Sequence, residues 1–323
     1  MKFRTTAVGA VFAAVLLAAT NALAQSYPTR PITLLHGFGP GGNADVISRL
    51  LAAPMSQTLG QPVVVEARPG AAGNIANERA AKSKPDGYTI ILIPSGFAVS
   101  AGLYKHLPFD PLNDFQMISM TTSFSFVISV RADSPYKTLK DLIAAAKAKP
   151  GKLSFSSVGI GSTQQLCGEL LKSMAGINMI HVPYKGGTAP LTDLLGGQID
   201  VMVDTNTVTT PQIKAGKIRG LAESASIPWP GLPGLPPVAE TLPGYDVRGW
   251  TGIAGPKGIP PAIVAKLNDA IHKALANPTV KKRIEDMGNV ETPSTPEEMQ
   301  TVVATDIAKF KKVIAEAHIP LQE

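Results

Sequence analysis

The sequence predicts an α/β protein with largely parallel sheets. Short β-branched or apolar runs alternate with helical patterns along most of the chain. Glycine-rich turns join strand to helix at several of these changes. The 323 residues are 44% hydrophobic, enough for two compact domains with real cores.

The elements follow in order. A strand is expected at 32–36, then a glycine-rich turn at 37–42 and a helix over 44–59. Val46, Ile47, Leu50, Leu51 and Met55 share one face of that helix, and Pro54 is expected to bend or interrupt it. A strand at 62–66 leads to a tight loop at 69–73 and a helix to residue 82, with Asn74 as its cap. The strand at 89–93 ends in Pro94-Ser95-Gly96, and two separate strands are expected at 116–121 and 126–130. Thr138 and Asp141 form a capping-box pair before a helix over 139–149. A strand at 153–156, a loop at 157–162 and a helix at 163–175 come next. A strand at 178–182 precedes a turn at 184–188 and a short helix to Gly196. Strands at 200–204 and 218–222 flank a helix near 210–215.

Residues 227–244 are dense in proline and glycine and read as a loop or interdomain connector. An extended segment at 246–253 surrounds Trp250, and helices are expected at 261–276 and 279–287. The last helix opens with Ser294 and Glu297 as a capping box and runs to about residue 317. Met299, Val302, Val303, Phe310, Val313 and Ile314 are spaced to bury one of its faces.

Composition excludes several function classes. A single cysteine rules out an internal disulfide framework and a Cys-rich zinc module. Aromatic content of 6% is thin for a nucleic-acid binder that stacks bases, and the basic residues form no tract, so no nucleic-acid partner is expected. The N-terminus reads as a cleavable signal peptide of 24 residues. Lys2 and Arg4 precede an apolar run at 7–19, which is too short to span a bilayer, and Ala22-Leu23-Ala24 supplies the small-x-small cleavage site. The mature chain would begin at Gln25, where a lipoprotein needs cysteine, and would carry a net charge of +4. These features predict a freely soluble extracytoplasmic protein.

The chemistry must then lie in the glycine-rich turns. Gly37-Phe-Gly-Pro-Gly-Gly42 satisfies G-x-G-x-x-G between strand and helix, with Glu66 at the end of the next strand. A dinucleotide is disfavoured, because an exported chain finds little of it and Pro40 removes a backbone N–H from the cradle. No cofactor is therefore expected. An exported serine hydrolase is the alternative. His36-Gly37 resembles an oxyanion turn, and Ser100 in Ala98-Val-Ser-Ala-Gly102 is one residue short of a nucleophile elbow. Ser100 does not abut the preceding strand as an elbow requires, and His272 and His318 sit on helical patterns. The five histidines form no metal-binding pair, so no metal is expected, and Cys167 reads as a buried, inert thiol.

What recurs is a helix start that offers backbone donors: 39–43, 159–163 and 185–188, with hydroxyls at Ser95, Ser156, Ser157, Ser162 and Thr163 beside them. In open α/β sheets ligands bind beyond the carboxyl ends of strands, where such turns cluster. Two lobes facing each other can aim these helix N-termini at one small anion.

Longer stretches carry a resemblance. Tyr27-Pro-Thr-Arg-Pro-Ile, Phe38-Gly-Pro-Gly-Gly-Asn-Ala-Asp45 and Leu59-Gly-Gln-Pro-Val-Val-Val-Glu66 are followed by Pro69-Gly-Ala-Ala-Gly-Asn-Ile75 and Lys84-Pro-Asp-Gly-Tyr-Thr89. Gly159-Ile-Gly-Ser162, His181-Val-Pro-Tyr-Lys-Gly-Gly187, Asp193-Leu-Leu-Gly-Gly-Gln-Ile-Asp200, Ile213-Lys-Ala-Gly-Lys-Ile-Arg219 and Leu242-Pro-Gly-Tyr245 continue it. In order and spacing this resembles the Bug family, the periplasmic substrate-binding proteins of tripartite tricarboxylate transporters.

The resemblance implies a two-lobed type II periplasmic binding protein, a Venus flytrap with doubly wound sheets and no enzymatic activity. Residues 25–125 and 245–323 would form the first lobe, with the C-terminal helix on either lobe, and 126–244 the second. A monomer would hold a small organic acid between the lobes and deliver it to membrane permease subunits or a sensor. The implied site takes Phe38, Gly39, Pro40, Gly41 and Gly42 with Ser95, Gly96 and Phe97 from the first lobe. Asp45 would either contact ligand or hold the turn. From the second lobe it takes Ser157, Gly161, Ser162, Thr163, Tyr184, Lys185, Gly186 and Asp204. Gln165 stands where many relatives carry histidine, and Gly39 where many carry proline. A neutral amide at 165 removes a titratable group from the expected site.

Overall fold

The computed structural model describes residues 27–323. The signal-peptide expectation for residues 1–24 and the new terminus at Gln25 lie outside the described residues.

Strands β1 (Ile32–His36), β2 (Val63–Ala67) and β3 (Thr89–Pro94) form a parallel set in the order β2-β1-β3. Beside β3 the sheet continues antiparallel through β9 (Arg248–Pro256) to β4 (Phe115–Arg131). A second sheet starts from the far half of β4. It runs antiparallel to β7 (Val201–Thr205), then parallel through β5 (Ser154–Ser157) to β6 (Ile180–Pro183). Strand β8 (Ile218–Glu223) pairs with the same half of β4, and β10 (Val290–Glu291) pairs with its other half. The parallel sets are joined by crossover helices, as the alternating sequence requires. The antiparallel members are those that connect the lobes or border the connection.

The helices described are α1 (Asn43–Leu59), α2 (Asn74–Ala81), α3 (Gly96–Leu103), α4 (Leu139–Ala148), α5 (Thr163–Ala175), α6 (Ala189–Leu195), α7 (Asn206–Lys214), α8 (Pro261–Ala276), α9 (Pro278–Asp286) and α10 (Pro296–Glu316). Strand β3 shows why they flank the first sheet on both faces. Its side chains alternate sides, so Ile90 and Leu92 join the core under α1 and α8, whereas Ile91 and Ile93 join the core under α3 and α10. A strand buried on both faces reads as a continuous apolar run, which is what 89–94 shows.

Several elements depart from expectation. The two strands expected at 116–121 and 126–130 are one strand of 17 residues. Its hydroxyl-rich middle resembles a turn in sequence, but Thr121 and Thr122 each share a 2.7 Å hydrogen bond with Thr251 on β9. Helix α1 continues through Pro54. Asn74 does not cap α2; it is the first helical residue, and its amide reaches Ser100 Oγ at 3.4 Å. Helix α3 was not foreseen, because two glycines and a valine lower its propensity and no polar face marks its period. Six of its eight residues are buried, so packing creates it. Gly102 lets it approach α10 closely, since a Cβ there would lie 3.2 Å from Lys311 and Ile314. Helix α7 starts at Asn206, four residues before the expected position.

The cap of α10 also shifts by one. Ser294-x-x-Glu297 and Thr295-x-x-Glu298 both fit the capping box, but Thr295 and Glu298 form it. Proline prefers the first helical position, and Pro296 occupies it only when Thr295 is the cap. Ser294 instead accepts from the Met120 N–H at 3.0 Å. Thr295→Ala is expected to cost about 1 kcal/mol of stability in chemical denaturation. The expected capping box of Thr138 and Asp141 forms at the start of α4.

Candidate functional site

A cavity of about 470 Å³, counted to its open mouth, lies between the two lobes. The ends of β3, β5 and β7 lead to it, and four helices begin at its wall. The N-cap residues of α1, α3, α5 and α7 are Gly42, Ser95, Ser162 and Thr205, and all four line the cavity. Each helix start leaves backbone N–H groups without intrahelical partners. Ser162 caps its own helix by accepting from the Gln165 N–H at 3.2 Å, whereas the other three N-caps make no side-chain cap bond. Phe38, Phe124, Phe126 and Val158 supply apolar wall. No lysine, arginine or histidine lines the cavity among the described residues. The arrangement suits a small, partly apolar anion held by backbone dipoles.

The lobes touch on either side of this cavity. The Gly39 N–H donates to the Lys185 carbonyl at 3.0 Å, and Gly39 pairs with Gly186 as a short parallel bridge. Ser95 Oγ and Thr163 Oγ1 share a hydrogen bond of 2.9 Å. Ser100 donates to the Gly161 carbonyl at 3.3 Å and Tyr104 to that of Ile160 at 3.1 Å. Thr207 donates to Asn43 Oδ1 across the same cleft. The backbones are close enough that a Cβ on Gly42 would stand 3.0 Å from Gly187 N.

Of the residues singled out in the sequence, Phe38, Gly42, Ser95, Gly96, Ser162, Thr163, Gly186 and Asp204 meet at the cavity. The others lie behind this lining. Gly39, Pro40 and Gly41 shape the first turn. Asp45 holds that turn, accepting from the Gly41 N–H at 3.0 Å and pairing with Arg49 at 2.8 Å. The buried His36 approaches the same carboxylate at 3.2 Å, and burial lowers its pKa. Phe97 stacks on Phe109 in the core. Ser157 bonds His181 at 2.7 Å, and burial together with Lys172 lowers that imidazole to about 4. Gln165 accepts from the Gly161 N–H at 2.7 Å and so braces the loop before α5. Tyr184 donates to Asp193 at 2.6 Å, and Lys185 is exposed, contributing its carbonyl to the interlobe bridge.

Sequence reasoning missed Ala44, Phe124, Phe126, Val158, Gln164 and Thr205, whereas Asn43 and Gly187 lie in turns it named. Phe124 and Phe126 stand two apart on β4 and so face one side, but in sequence that pattern is equally a core strand. Thr205 escaped because the helix it caps was placed four residues too late.

Asp204 is the ionisable side chain among the lining residues. Its Oδ1 accepts from the Thr205 N–H at 2.7 Å and from Gln164 Nε2 at 3.4 Å, and burial pushes its pKa up to about 6. Ser100 is fully buried, and its hydrogen-bond partners are Asn74 and the Gly161 carbonyl, with no histidine among them. The hydroxyl has no base to activate it. Cys167 is buried and its thiol is pushed up to about 12 by burial, which leaves it protonated and inert. Among the described residues no group of three or more histidine, cysteine, aspartate or glutamate side chains is placed to hold a metal ion.

A family model described as tripartite tricarboxylate transporter family receptor matches residues 47–319. The chain is 34% identical over 324 residues to Protein BugT of Bordetella pertussis, covering 99% of each sequence. The structure matches that of the periplasmic binding protein BugD with a TM-score of 0.88 at 36% identity, over 92% of this chain and 100% of that one. R. palustris Rpa4515, solved with adipate, matches with a TM-score of 0.88 at 34% identity, again over 92% and 100%. These likenesses cover most of the described chain. The chain belongs to the tripartite tricarboxylate transporter receptor family, and it is a solute-binding protein and not an enzyme.

Proposed function

We propose that this chain captures a small carboxylate-bearing ligand in the interlobe cavity and delivers it, in the closed form, to a membrane permease or a sensor protein. The convergence of four helix N-caps on one cavity with apolar walls carries this reading. Each helix N-terminus stabilises a negative charge by roughly 0.3–1 kcal/mol, and by up to ~2 kcal/mol when partly buried. Those at Gly42, Ser95 and Ser162 together can offset the desolvation of a carboxylate without a basic side chain, while the Thr205 N–H at the fourth is taken by Asp204. A relative solved with adipate supports the ligand class.

The lobes are assigned as residues 25–125 with 245–323, and 126–244. Strand β4 passes between them near Ser125, and the return passes Ser224. Ser224 accepts from the Val247 N–H at 2.9 Å and donates its own N–H to the Phe126 carbonyl at 2.8 Å. Rotation about these strands would open the cleft, so that ligand shifts a population between open and closed forms. Phe38, Gly42, Ser95, Gly96, Ser162, Thr163, Gly186 and Asp204 are assigned to ligand contact, and the turn residues behind them to positioning. The mature protein acts as a periplasmic monomer after removal of residues 1–24.

A thermal-shift screen with small carboxylates tests the reading. A ligand at ~100 times its dissociation constant is expected to stabilise by roughly 2.7 kcal/mol. Response to uncharged ligands alone, with silence from every acid, would overturn it.

A further inference from the structure

Among the described residues, the cavity that we assign to a carboxylate is lined by no cationic side chain but by one acid. Asp204 ends β7 and is 3% exposed. Its protein donors, the Thr205 N–H and Gln164 Nε2, both reach Oδ1. The two hydrogen bonds formed within ordinary distance leave Oδ2 unbonded among the described residues, and Asp204 lines the cavity. The Thr205 hydroxyl, buried and in no hydrogen bond of ordinary geometry, is close enough to the carboxylate to favour its ionised form. A buried carboxylate with spare acceptor capacity therefore lies in the cavity wall.

Two kinds of ligand would meet it differently. A second carboxylate set against Asp204 would bring like charges together in a water-poor space, with no cation to relieve them. An ammonium or hydroxyl would give Oδ2 the donor that the protein withholds. The ligand's first carboxylate does not need Asp204, because the helix starts at Gly42, Ser95 and Ser162 already serve it. Burial holds the Asp204 carboxyl near a pKa of about 6, so at neutral pH it remains an anionic acceptor.

We propose that Asp204 is a specificity-determining residue: it selects a monocarboxylate that also carries a hydrogen-bond donor, an ammonium above all, and rejects a second carboxylate. This rests on the carboxylate reading of the cavity and names the substrate class within it.

The test is titration calorimetry of the mature protein at pH 7.5 with straight-chain acids of four to six carbons. At each length the dicarboxylate is compared with the monocarboxylates bearing an α- or ω-ammonium or an ω-hydroxyl. Wild type is expected to bind at least one ammonium-bearing acid roughly tenfold or more tightly than any dicarboxylate. Asp204→Asn keeps the shape and removes the charge. It is expected to weaken that acid roughly tenfold and to tighten the dicarboxylates. Tighter binding of a dicarboxylate by wild type overturns the role of Asp204 while leaving the carboxylate site standing. Silence from the whole panel overturns both. Should Asp204→Asn fail to fold, the wild-type ranking decides alone.

Discussion

Gly187→Ala is expected to weaken ligand binding by roughly 100-fold while leaving each lobe folded. Gly187 sits at φ +75°, and a Cβ on it would lie 2.7 Å from the Pro40 carbonyl oxygen of the other lobe. The obstruction is backbone, so no rotamer change relieves it. Only separation of the lobes does, and separation breaks the Gly39–Lys185 and Ser95–Thr163 bonds along with half of the cavity wall. A few hydrogen bonds at 0.5–1.5 kcal/mol each give about 3 kcal/mol, which is roughly two decades of affinity. Placing alanine at positive φ carries its own cost, so Gly176→Ala is the control. Gly176 has φ +61° and open space around its Cβ position, at the far end of α5. Calorimetry should show near wild-type affinity for the control and the large loss for Gly187→Ala. Equal affinities in both would mean that closure does not bring these backbones together.

The second large effect is on stability. Glu223 is fully buried at the end of β8; Oε2 accepts from the Trp229 N–H at 3.0 Å, and Oε1 has no partner. Burial pushes its pKa up to about 7. The folded state therefore holds a proton that the unfolded chain, with an ordinary carboxyl, releases near pH 4.5. This contribution is fully present below that pH and is lost as pH rises through about 7, an effect on the order of 3 kcal/mol. Asp204 acts in the same direction up to about pH 6. His181 opposes them: its folded value near 4 means that stability falls as pH drops below the ordinary histidine value. Comparing wild type with Glu223→Gln at pH 5 and pH 8 by urea unfolding isolates the glutamate. Wild type should lose ground to the variant at pH 8 by a few kcal/mol. An unchanged difference between the two pH values would show that Glu223 is ionised in the folded protein throughout.

The two acids flank one residue of the strand that passes between the lobes. Asp204 and Glu223 both register with Val127 on β4, one from each neighbouring strand.

The α/β alternation was legible because it rests on local physics. Period-two and period-3.6 patterns, capping pairs and turn residues act within a few positions of each other. Hence β1, β3, α5 and α8 fall where the pattern puts them. The glycine-rich first turn and the hydroxyls before α5 were legible for the same reason: a helix start announces itself in the residues that form it. Reading failed where tertiary packing outweighed local preference. Helix α3 forms in a poor helical sequence because nearly all of it is buried, and β4 runs unbroken because β9 satisfies its hydroxyls.

Which segments end in exposed backbone donors follows from local strand, turn and cap chemistry and is written in the order of residues. Which of those ends share a cavity depends on how the folded chain brings them together. Gly39 meets Gly186, and Ser95 meets Thr163, across long stretches of chain that no local pattern spans. Tertiary structure also decided the walls, because Phe124 and Phe126 line the cavity where β4 crosses from one sheet to the other. Asp204 owes its distinction to the same cause: an aspartate at a strand end is ordinary until burial and four converging helix starts leave it the acid inside the site.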